Sequence, residues 1–300
     1  MDTYTPRISI ALATYNGARY LSQLLDSIEQ QTTAPFEIVA CDDGSQDQTV
    51  SILKEYRLRL PITVLENKQS IGVVQNFKKV VANCTGEYIA FCDQDDVWQP
   101  DKLTKSVREL NTIDGPWPAM VFTDLCVVDE DLNKIADSYW QHRKLNPTKE
   151  TFNSLIYGNF VTGCTMVVNK RMAIELQDMP DKVLMHDFWI ACIAYGLGKH
   201  SFVDQPTIFY RQHSSNVTDN SVINWAARWQ RLKALLLDPG YAGLFLLPEI
   251  AQAQLYLTTY KQRLSLTSIN DLNQLILLKD KLPIVRKWHT FWIKFMHFHH

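Results

Sequence analysis

Tyr88-Ile89-Ala90-Phe91-Cys92-Asp93-Gln94-Asp95-Asp96-Val97-Trp98 decides how this chain is read. Tyr88 to Cys92 form an unbroken apolar run, the pattern of a short strand covered on both faces, and acidic residues follow at once. Asp93, Asp95 and Asp96 repel one another unless a cation or hydroxyl groups meet them. In an open α/β sheet that position, just past the carboxyl end of a strand, is where ligands bind.

Outward from this stretch, similar runs occur at Ile8–Thr14, Phe36–Cys41, Ile62–Glu66 and Ala119–Thr123. Between the first two, Leu21, Leu24, Leu25 and Ile28 recur at i, i+3, i+4, i+7, so one helical face can pack on a sheet. This alternation from Ile8 to Asp124 predicts an α/β fold: a mostly parallel central sheet flanked by helices, Rossmann-like in its first half. From Val127 to Arg211 the pattern reads as a hairpin region, a strand Thr162–Val168, a helix beginning near Asp187, and strands near His200 and Thr207. Beyond Asn220 it turns helical. Trp225, Trp229, Leu232 and Leu236 share one face, Pro239-Gly240 breaks the chain, and periodicity resumes near Gln252. The expected division is an α/β domain over 1–219, with halves 1–124 and 125–219, and a helical C-terminal subdomain over 220–300.

With 300 residues, 46% of them hydrophobic, the chain can bury one large core or two modest ones. A net charge of -2 lacks the basic excess that neutralises phosphates, which argues against nucleic acid as a partner. Cys41, Cys84, Cys92, Cys126, Cys164 and Cys192 are scattered, without a CxxC pair or zinc spacing, and read as reduced thiols of a cytoplasmic protein. No signal-peptide pattern precedes the first strand, so export is not expected. The longest apolar runs, such as Ala242 to Leu247, fall far short of the roughly 20 residues that span a bilayer. In a cytoplasmic protein the sequons at Asn83 and Asn216 carry no meaning.

At the C-terminus Ile284, Trp288, Phe291, Phe295 and Phe298 share a helical face, with Val285 and Trp292 beside it. Lys279, Lys281, Arg286, Lys287 and Lys294 add positive charge. This composition suits an in-plane helix at the anionic inner surface of a membrane, and also a face packed on the α/β domain or on a second copy in a homo-oligomer.

Three strand ends should converge on one edge: Ala13-Thr14-Tyr15-Asn16-Gly17, Cys41-Asp42-Asp43-Gly44-Ser45 and Phe91 to Asp96. There Asp43 can accept a hydrogen bond from a nucleobase imide while Tyr15 stacks on the base. The same Asp42–Ser45 segment is also good turn and helix-cap chemistry. For Asp93 and Asp95, hard oxygen ligands point to Mg²⁺ or Mn²⁺, with further oxygens from a diphosphate. The alternative is a solvated acidic loop. Asp93-x-Asp95-x-Val97 also fits the nucleophile loop of haloacid-dehalogenase-like phosphohydrolases, although that loop follows the first strand of its domain and this one follows the fourth.

In order and spacing, Ser9 to Trp98 resembles the nucleotide-binding half of the family 2 inverting glycosyltransferases, which have the GT-A fold. The pieces that match are Ala13 to Gly17, Asp42 to Ser45 with Asp47 and Thr49, Gly86-Glu87-Tyr88, and Asp93 to Trp98. The resemblance implies that Thr14, Tyr15 and Asn16 at the first strand end, with Asp43, hold the base. It implies further that Asp93 approaches the ribose and Asp95 binds Mn²⁺ or Mg²⁺.

The resemblance continues to about Asn216. Gly158 to Cys164 resembles the segment beneath the acceptor, and Met185-His186-Asp187-Phe188-Trp189 the segment holding the catalytic base. Inverting transfer needs a carboxylate to take the acceptor proton, which selects Asp187. A plain helix N-cap is the compatible alternative. Most relatives are acidic where His186 stands, which makes His186 the competing base. Tyr210-Arg211-Gln212-His213 resembles the segment that folds over the diphosphate, implying Arg211 on phosphate oxygens and His213 in the metal shell.

Processive members carry Gln-x-x-Arg-Trp, of which Trp225-Ala226-Ala227-Arg228-Trp229 matches only the second half, so transfer of a single sugar is implied. The motif forms are similar to those of bacterial rhamnosyltransferase-like members that build surface polysaccharides. They imply dTDP-rhamnose, or nearly as well a UDP-hexose, as donor, and a saccharide or lipid-linked acceptor. The alternatives are the phosphohydrolase above and a non-catalytic sugar-nucleotide-binding module.

Overall fold

The computed structural model describes residues 5–213 and 245–299. Its first half is built from β1 (Ile8–Thr14), α1 (Ala18–Glu29), β2 (Glu37–Asp42), α2 (Thr49–Tyr56), β3 (Ile62–Glu66), α3 (Val73–Ala82) and β4 (Tyr88–Cys92). The strands lie in the order β3-β2-β1-β4, all parallel. Because successive side chains of a strand point to opposite faces, the apolar runs supply two cores at once. Ile8, Ile10 and Leu12 join Ile38, Ala40, Ala90 and Cys92 against Leu21, Leu24, Leu25 and Ile28 of α1. On the other face Ala11, Val39, Cys41, Ile89 and Phe91 meet Phe77, Val80 and Val81 of α3. Leu24 is fully buried, so truncating it to alanine should cost about 2–5 kcal/mol.

The second half contains β5 (Val97–Trp98), α4 (Lys102–Ile113), β6 (Ala119–Val128), β7 (Lys134–Ala136), α5 (Tyr139–Arg143), α6 (Phe152–Ile156), β8 (Val167–Asn169), α7 (Lys170–Gln177), α8 (His186–Gly196) and β9 (Lys199–Arg211). The sheet continues from β4 through β8, β6 and β9 to β5, with β7 hydrogen-bonded to β6. Here it is mixed. β8 runs antiparallel to both β4 and β6, whereas β6 and β9 are parallel.

Two expectations are corrected in this half. The strand read over Thr162–Val168 is only Val167–Asn169, because Gly163–Thr165 closes into a 3-10 turn. That turn satisfies its own backbone, with Thr165 N–H and hydroxyl donating to Thr162 O at 3.0 and 2.6 Å. The strands near His200 and Thr207 are one, β9. Pro206 lies within it, where the register against β6 shifts at Asp124, so the missing N–H interrupts no regular ladder.

Among the described residues three helices follow: α9 (Leu247–Tyr260), α10 (Leu266–Ile276) and α11 (Pro283–His299). Tyr256 of α9 is fully buried, meets the Trp189 ring edge-on at 5.3 Å and donates its hydroxyl hydrogen to Cys192 O at 2.9 Å. The predicted helical face Trp225–Leu236, the break at Pro239-Gly240, the Trp225–Trp229 segment and the Asn216 sequon lie outside the described residues. All six cysteines are buried and unpaired, in keeping with the reduced thiols expected. Among the described helices none is long and apolar enough to cross a membrane.

Candidate active site

The ends of β1 and β2 are stitched together by side chains. Thr14 Oγ1 donates to Asp42 Oδ2 at 3.0 Å, Asn16 N–H to Ser45 Oγ at 2.8 Å, Gly17 N–H to Thr49 Oγ1 at 2.8 Å and Ala18 N–H to Asp47 Oδ2 at 3.1 Å. These contacts give Asp47 and Thr49 their purpose: they satisfy the open N–H groups where α1 begins. Asn16 sits at φ 47°, a left-handed conformation that asparagine tolerates better than most residues.

Gln94 reaches across from β4 and clamps Tyr15 by its backbone. It accepts from Tyr15 N–H at 2.8 Å and donates to Tyr15 O at 2.9 Å, leaving the tyrosine ring 51% exposed. A Cβ at Gly17 would lie 2.1 Å from Gln94 Oε1, so this clamp needs glycine there.

Thr14, Tyr15, Asn16, Asp43, Asp93, Asp95, Asp187 and His213 all line one cleft of about 720 Å³. Asp43 is the most heavily bonded of them. Its oxygens accept from Asn67 Nδ2 (2.9 Å), Ser70 Oγ (2.7 Å), Ile71 N–H (2.8 Å) and Gly72 N–H (3.0 Å). Burial alone would raise its pKa, but these donors outweigh it and hold the carboxyl below its ordinary range. Asp43 therefore organises the loop before α3 as well as facing the cleft, a role its turn-like sequence did not reveal.

The acidic loop divides its carboxylates. Asp95 Oδ2 lies 2.8 Å from His213 Nε2 at the cleft. Asp96 is fully buried beneath it and its Oδ1 accepts from Arg211 N–H at 3.3 Å. Loss of water, then the charges of Asp95 and Asp187, push Asp93 above the ordinary carboxylate range.

Arg211, expected on the diphosphate, does not line the cleft. It is 1% exposed; Nε donates to Asp95 O at 2.9 Å, Nη2 to Gln23 Oε1 at 2.6 Å and Nη1 to Glu130 O, and its guanidinium lies 4.5 Å over the Tyr20 ring. Its partners account for this position: the carbonyls of Asp95 and Glu130 and the Gln23 side chain hold the guanidinium beneath the acidic loop.

Asp187 lies in the first turn of α8, whose N-cap is Met185 rather than Asp187, and Phe188 N–H donates to its Oδ1 at 2.6 Å. Burial pushes its pKa up to about 6, against smaller opposing effects from the Phe188 and Gly163 backbone and the Asn159 side chain. Gly163 is packed so closely that a Cβ would stand 3.3 Å from Asp187 Cβ and 3.2 Å from His186 Nε2. His186 is 5% exposed and stacks on Phe77 at 4.0 Å. Burial lowers its pKa to about 3, and neither ring nitrogen has a partner among the described residues. Burial thus keeps the His186 ring neutral and its nitrogens unpartnered, whereas the Asp187 carboxyl accepts from Phe188 N–H at the same cleft. Glu130, Arg19 and Tyr20 also line the cleft, with Arg19 Nη2 on Glu130 Oε2 at 2.8 Å. Glu130 reaches it from the β6–β7 turn, and no motif announces it.

Residues 9–176 match the model of Glycosyl transferase family 2. The chain belongs to this family. The phosphohydrolase reading of the acidic loop falls with that finding. The chain is 27% identical over 242 residues to the dTDP-rhamnosyl transferase RfbG of Shigella flexneri, covering 74% of this chain and 78% of that one. It is 28% identical over 230 residues to an uncharacterized protein of Mycobacterium tuberculosis, covering 74% of this chain and 64% of the relative's length.

Among solved structures, S. aureus TarS in complex with UDP-GlcNAc superposes with a TM-score of 0.56 at 18% identity, over 90% of this chain and 79% of that one. The mannosyltransferase PcManGT of Pyrobaculum calidifontis, in complex with GDP-Man and Mn²⁺, gives 0.54 at 20% identity, over 98% and 86%. These likenesses show the GT-A fold expected from the motifs.

Proposed function

We propose that this glycosyltransferase moves one sugar, with inversion, from a nucleotide-diphosphate donor to an acceptor hydroxyl. The observation that carries the reading is the shared cleft: Asp187, buried with its pKa raised to about 6, lines the same walls as Asp93, Asp95 and His213. A carboxylate of that basicity is ionised near neutrality yet basic enough to take a proton from the attacking hydroxyl, a contribution of about 10²–10⁴ in rate.

Tyr15 offers its exposed ring to the base, with Thr14 and Asn16 shaping the edge. Asp43 accepts the imide N–H in competition with the Ser70 hydroxyl, and Asp93 meets the ribose. Asp95 and His213 present a carboxylate oxygen and an imidazole nitrogen 2.8 Å apart, a donor set that fits Mn²⁺ or Mg²⁺. When bound, that cation neutralises charge on the diphosphate leaving group. Atoms of Asp93, Asp96 and Cys164 also lie within 4.8 Å of one another. Burial pushes the Cys164 thiol well above its ordinary range, though, and a protonated sulfur suits a hard cation poorly.

For the donor we propose dTDP-rhamnose or a UDP-hexose. The first is supported by the name of the Shigella relative, the second by the ligand in the TarS structure. For the acceptor we propose a saccharide or lipid-linked saccharide of bacterial surface polysaccharide synthesis, used in the cytoplasm, with residues 1–219 as the catalytic domain and 220–300 as a helical subdomain. A thermal-shift panel of dTDP, UDP and GDP sugars, with and without Mn²⁺, tests the reading, because a ligand of the folded state raises the melting point by mass action. A shift for none of them, in either condition, overturns it.

A further inference from the structure

The rotation of α11 about its axis is fixed by what it buries. Arg286, Thr290 and Ile293 are each 7% exposed. Arg286 is not the surface charge its sequence suggests: Nε donates to Leu278 O at 3.0 Å and Nη1 to Phe245 O at 3.2 Å. His289 meets the Tyr157 hydroxyl at 2.9 Å. Positions 286, 289, 290 and 293 thus face the body. Val285, Trp288 and Trp292, at i, i+3 and i+7, are turned to solvent with exposures of 42%, 68% and 57%. Leu277 and Leu282, in the connection just before α11, are 69% and 70% exposed. The side chains of Ile284, Phe291, Lys294, Phe295 and Phe298 lie outside the described ones; of the face expected from sequence, Trp288 is described, and it is exposed together with the neighbouring Val285 and Trp292.

Lys279 and Lys281 are exposed within the same segment and Lys287 partly so, against the single acid Asp280. Two large indole rings, two leucines and a valine among lysines do not suit a free surface. We propose that this face docks on an anionic phospholipid bilayer, the two tryptophans entering the headgroup boundary and the lysines meeting lipid phosphates. Indoles favour that boundary because one edge is apolar and the other carries a hydrogen-bond donor. Charge favours a bilayer over a second copy: a two-fold contact centred on this face would bring two lysine clusters together, whereas a chain of net charge -2 that concentrates lysine here presents a local attraction to an acidic surface.

Cosedimentation and quenching by brominated lipid test the proposal on the full chain. The vesicles are phosphatidylglycerol–phosphatidylcholine or phosphatidylcholine alone, and the proteins are wild type, Trp288→Ala/Trp292→Ala, Lys279→Gln/Lys281→Gln and the exposed control Leu58→Ala. Retained nucleotide binding shows that each variant is folded. Wild type and control should bind the anionic vesicles and be quenched. The tryptophan pair should weaken binding by roughly tenfold or more, since each indole contributes a large apolar area, and remove the quenching. The lysine pair should weaken binding at low salt, and raising salt from about 0.1 to 1 M, which shortens the screening length from about 10 to 3 Å, should erase the difference. Equal recovery of wild type with both vesicle types, or tryptophan variants that bind and are quenched like wild type, overturns the proposal. So does a wild-type dimer that the tryptophan changes convert to monomer without altering vesicle binding.

Discussion

If Asp187 is a buried, ionisable base, replacing it with asparagine should make the protein more stable while it removes activity. Folding carries this carboxyl from an ordinary 3.8 to about 6, which at 1.36 kcal/mol per pH unit disfavours the ionised native state by about 3 kcal/mol. Below pH about 4 the group is protonated both folded and unfolded, and no penalty exists. As pH rises toward 6 the native state holds the proton longer than the unfolded chain, so stability falls; above 6 the whole penalty is present.

Asparagine cannot ionise, but its amide nitrogen cannot accept a hydrogen bond either, and one lost acceptor beside Gly163 and Asn159 costs about 1 kcal/mol. The net expectation for Asp187→Asn is about 2 kcal/mol of added stability at pH 7, or about 4 °C in melting temperature, shrinking to nothing or reversing near pH 4. Turnover should fall by about 10²–10⁴ with donor affinity kept, and wild-type turnover should rise with pH through about 6 as the base ionises. Calorimetric melting of both proteins from pH 4 to 8, beside transfer rates, makes the test. If the variant is no more stable at pH 7 than at pH 4, relative to wild type, the carboxyl is not held in a water-poor site and the reasoning fails.

Asp95→Asn should weaken donor binding in Mn²⁺ by at least the roughly tenfold that even outer changes around a metal cost, with little effect on nucleotide binding in chelator; titration calorimetry under both conditions reads this. His186→Phe should keep turnover within a few-fold, since an apolar ring of similar shape relieves two unpartnered nitrogens; its loss in a folded variant would return His186 to the chemistry. Gly17→Ala drives a Cβ into Gln94 Oε1 and should lower nucleotide affinity, while adding Gln94→Ala should recover part of the loss, a coupling of roughly 0.5 kcal/mol or more. Arg211→Met should reduce both thermal stability and Mn²⁺-dependent donor affinity although Arg211 lines no part of the cleft, because it holds Asp95 by its carbonyl.

The legible part of this fold is the part whose physics is local. Ile8–Thr14 and Tyr88–Cys92 appear as strands with the bounds their apolar runs suggest, since residues covered on both faces of a parallel sheet have no reason to alternate; Ile62–Glu66 keeps its bounds as the less buried edge strand. The α1 face was equally plain, because the spacing of Leu21 to Ile28 has one geometric solution. The Thr162–Val168 segment was not: its apolar residues are buried, but a turn is closed by hydrogen bonds that hydrophobicity does not encode. The strands near His200 and Thr207 are one because Pro206, which lies between them, falls where the register against the partner strand shifts.

At the site, the residue types pointed to one edge, and one cleft gathers all the candidates but one. What stayed hidden was the direction each side chain takes. Arg211 and Asp96 look as ligand-ready in sequence as His213 and Asp95, their neighbours along the chain. In three dimensions His213 and Asp95 line the cleft while Arg211 and Asp96 are buried beneath it, a separation that residue type and spacing do not encode. Four carboxylates crowd this region; burial, with mutual repulsion between Asp93, Asp95 and Asp96, raises the pKa of Asp93, Asp96 and Asp187, so protonation relieves part of the crowding. A sequence that sets several acids at one strand end should therefore be read for the burial that neutralises some of them, and for the groups that fix the loop from beneath, before every charge is assigned to ligand. Here the Arg211 guanidinium holds the Asp95 carbonyl and the Arg211 backbone N–H reaches the Asp96 carboxylate, while Lys102, fully buried, sets its amine 4.8 Å over the Trp98 ring.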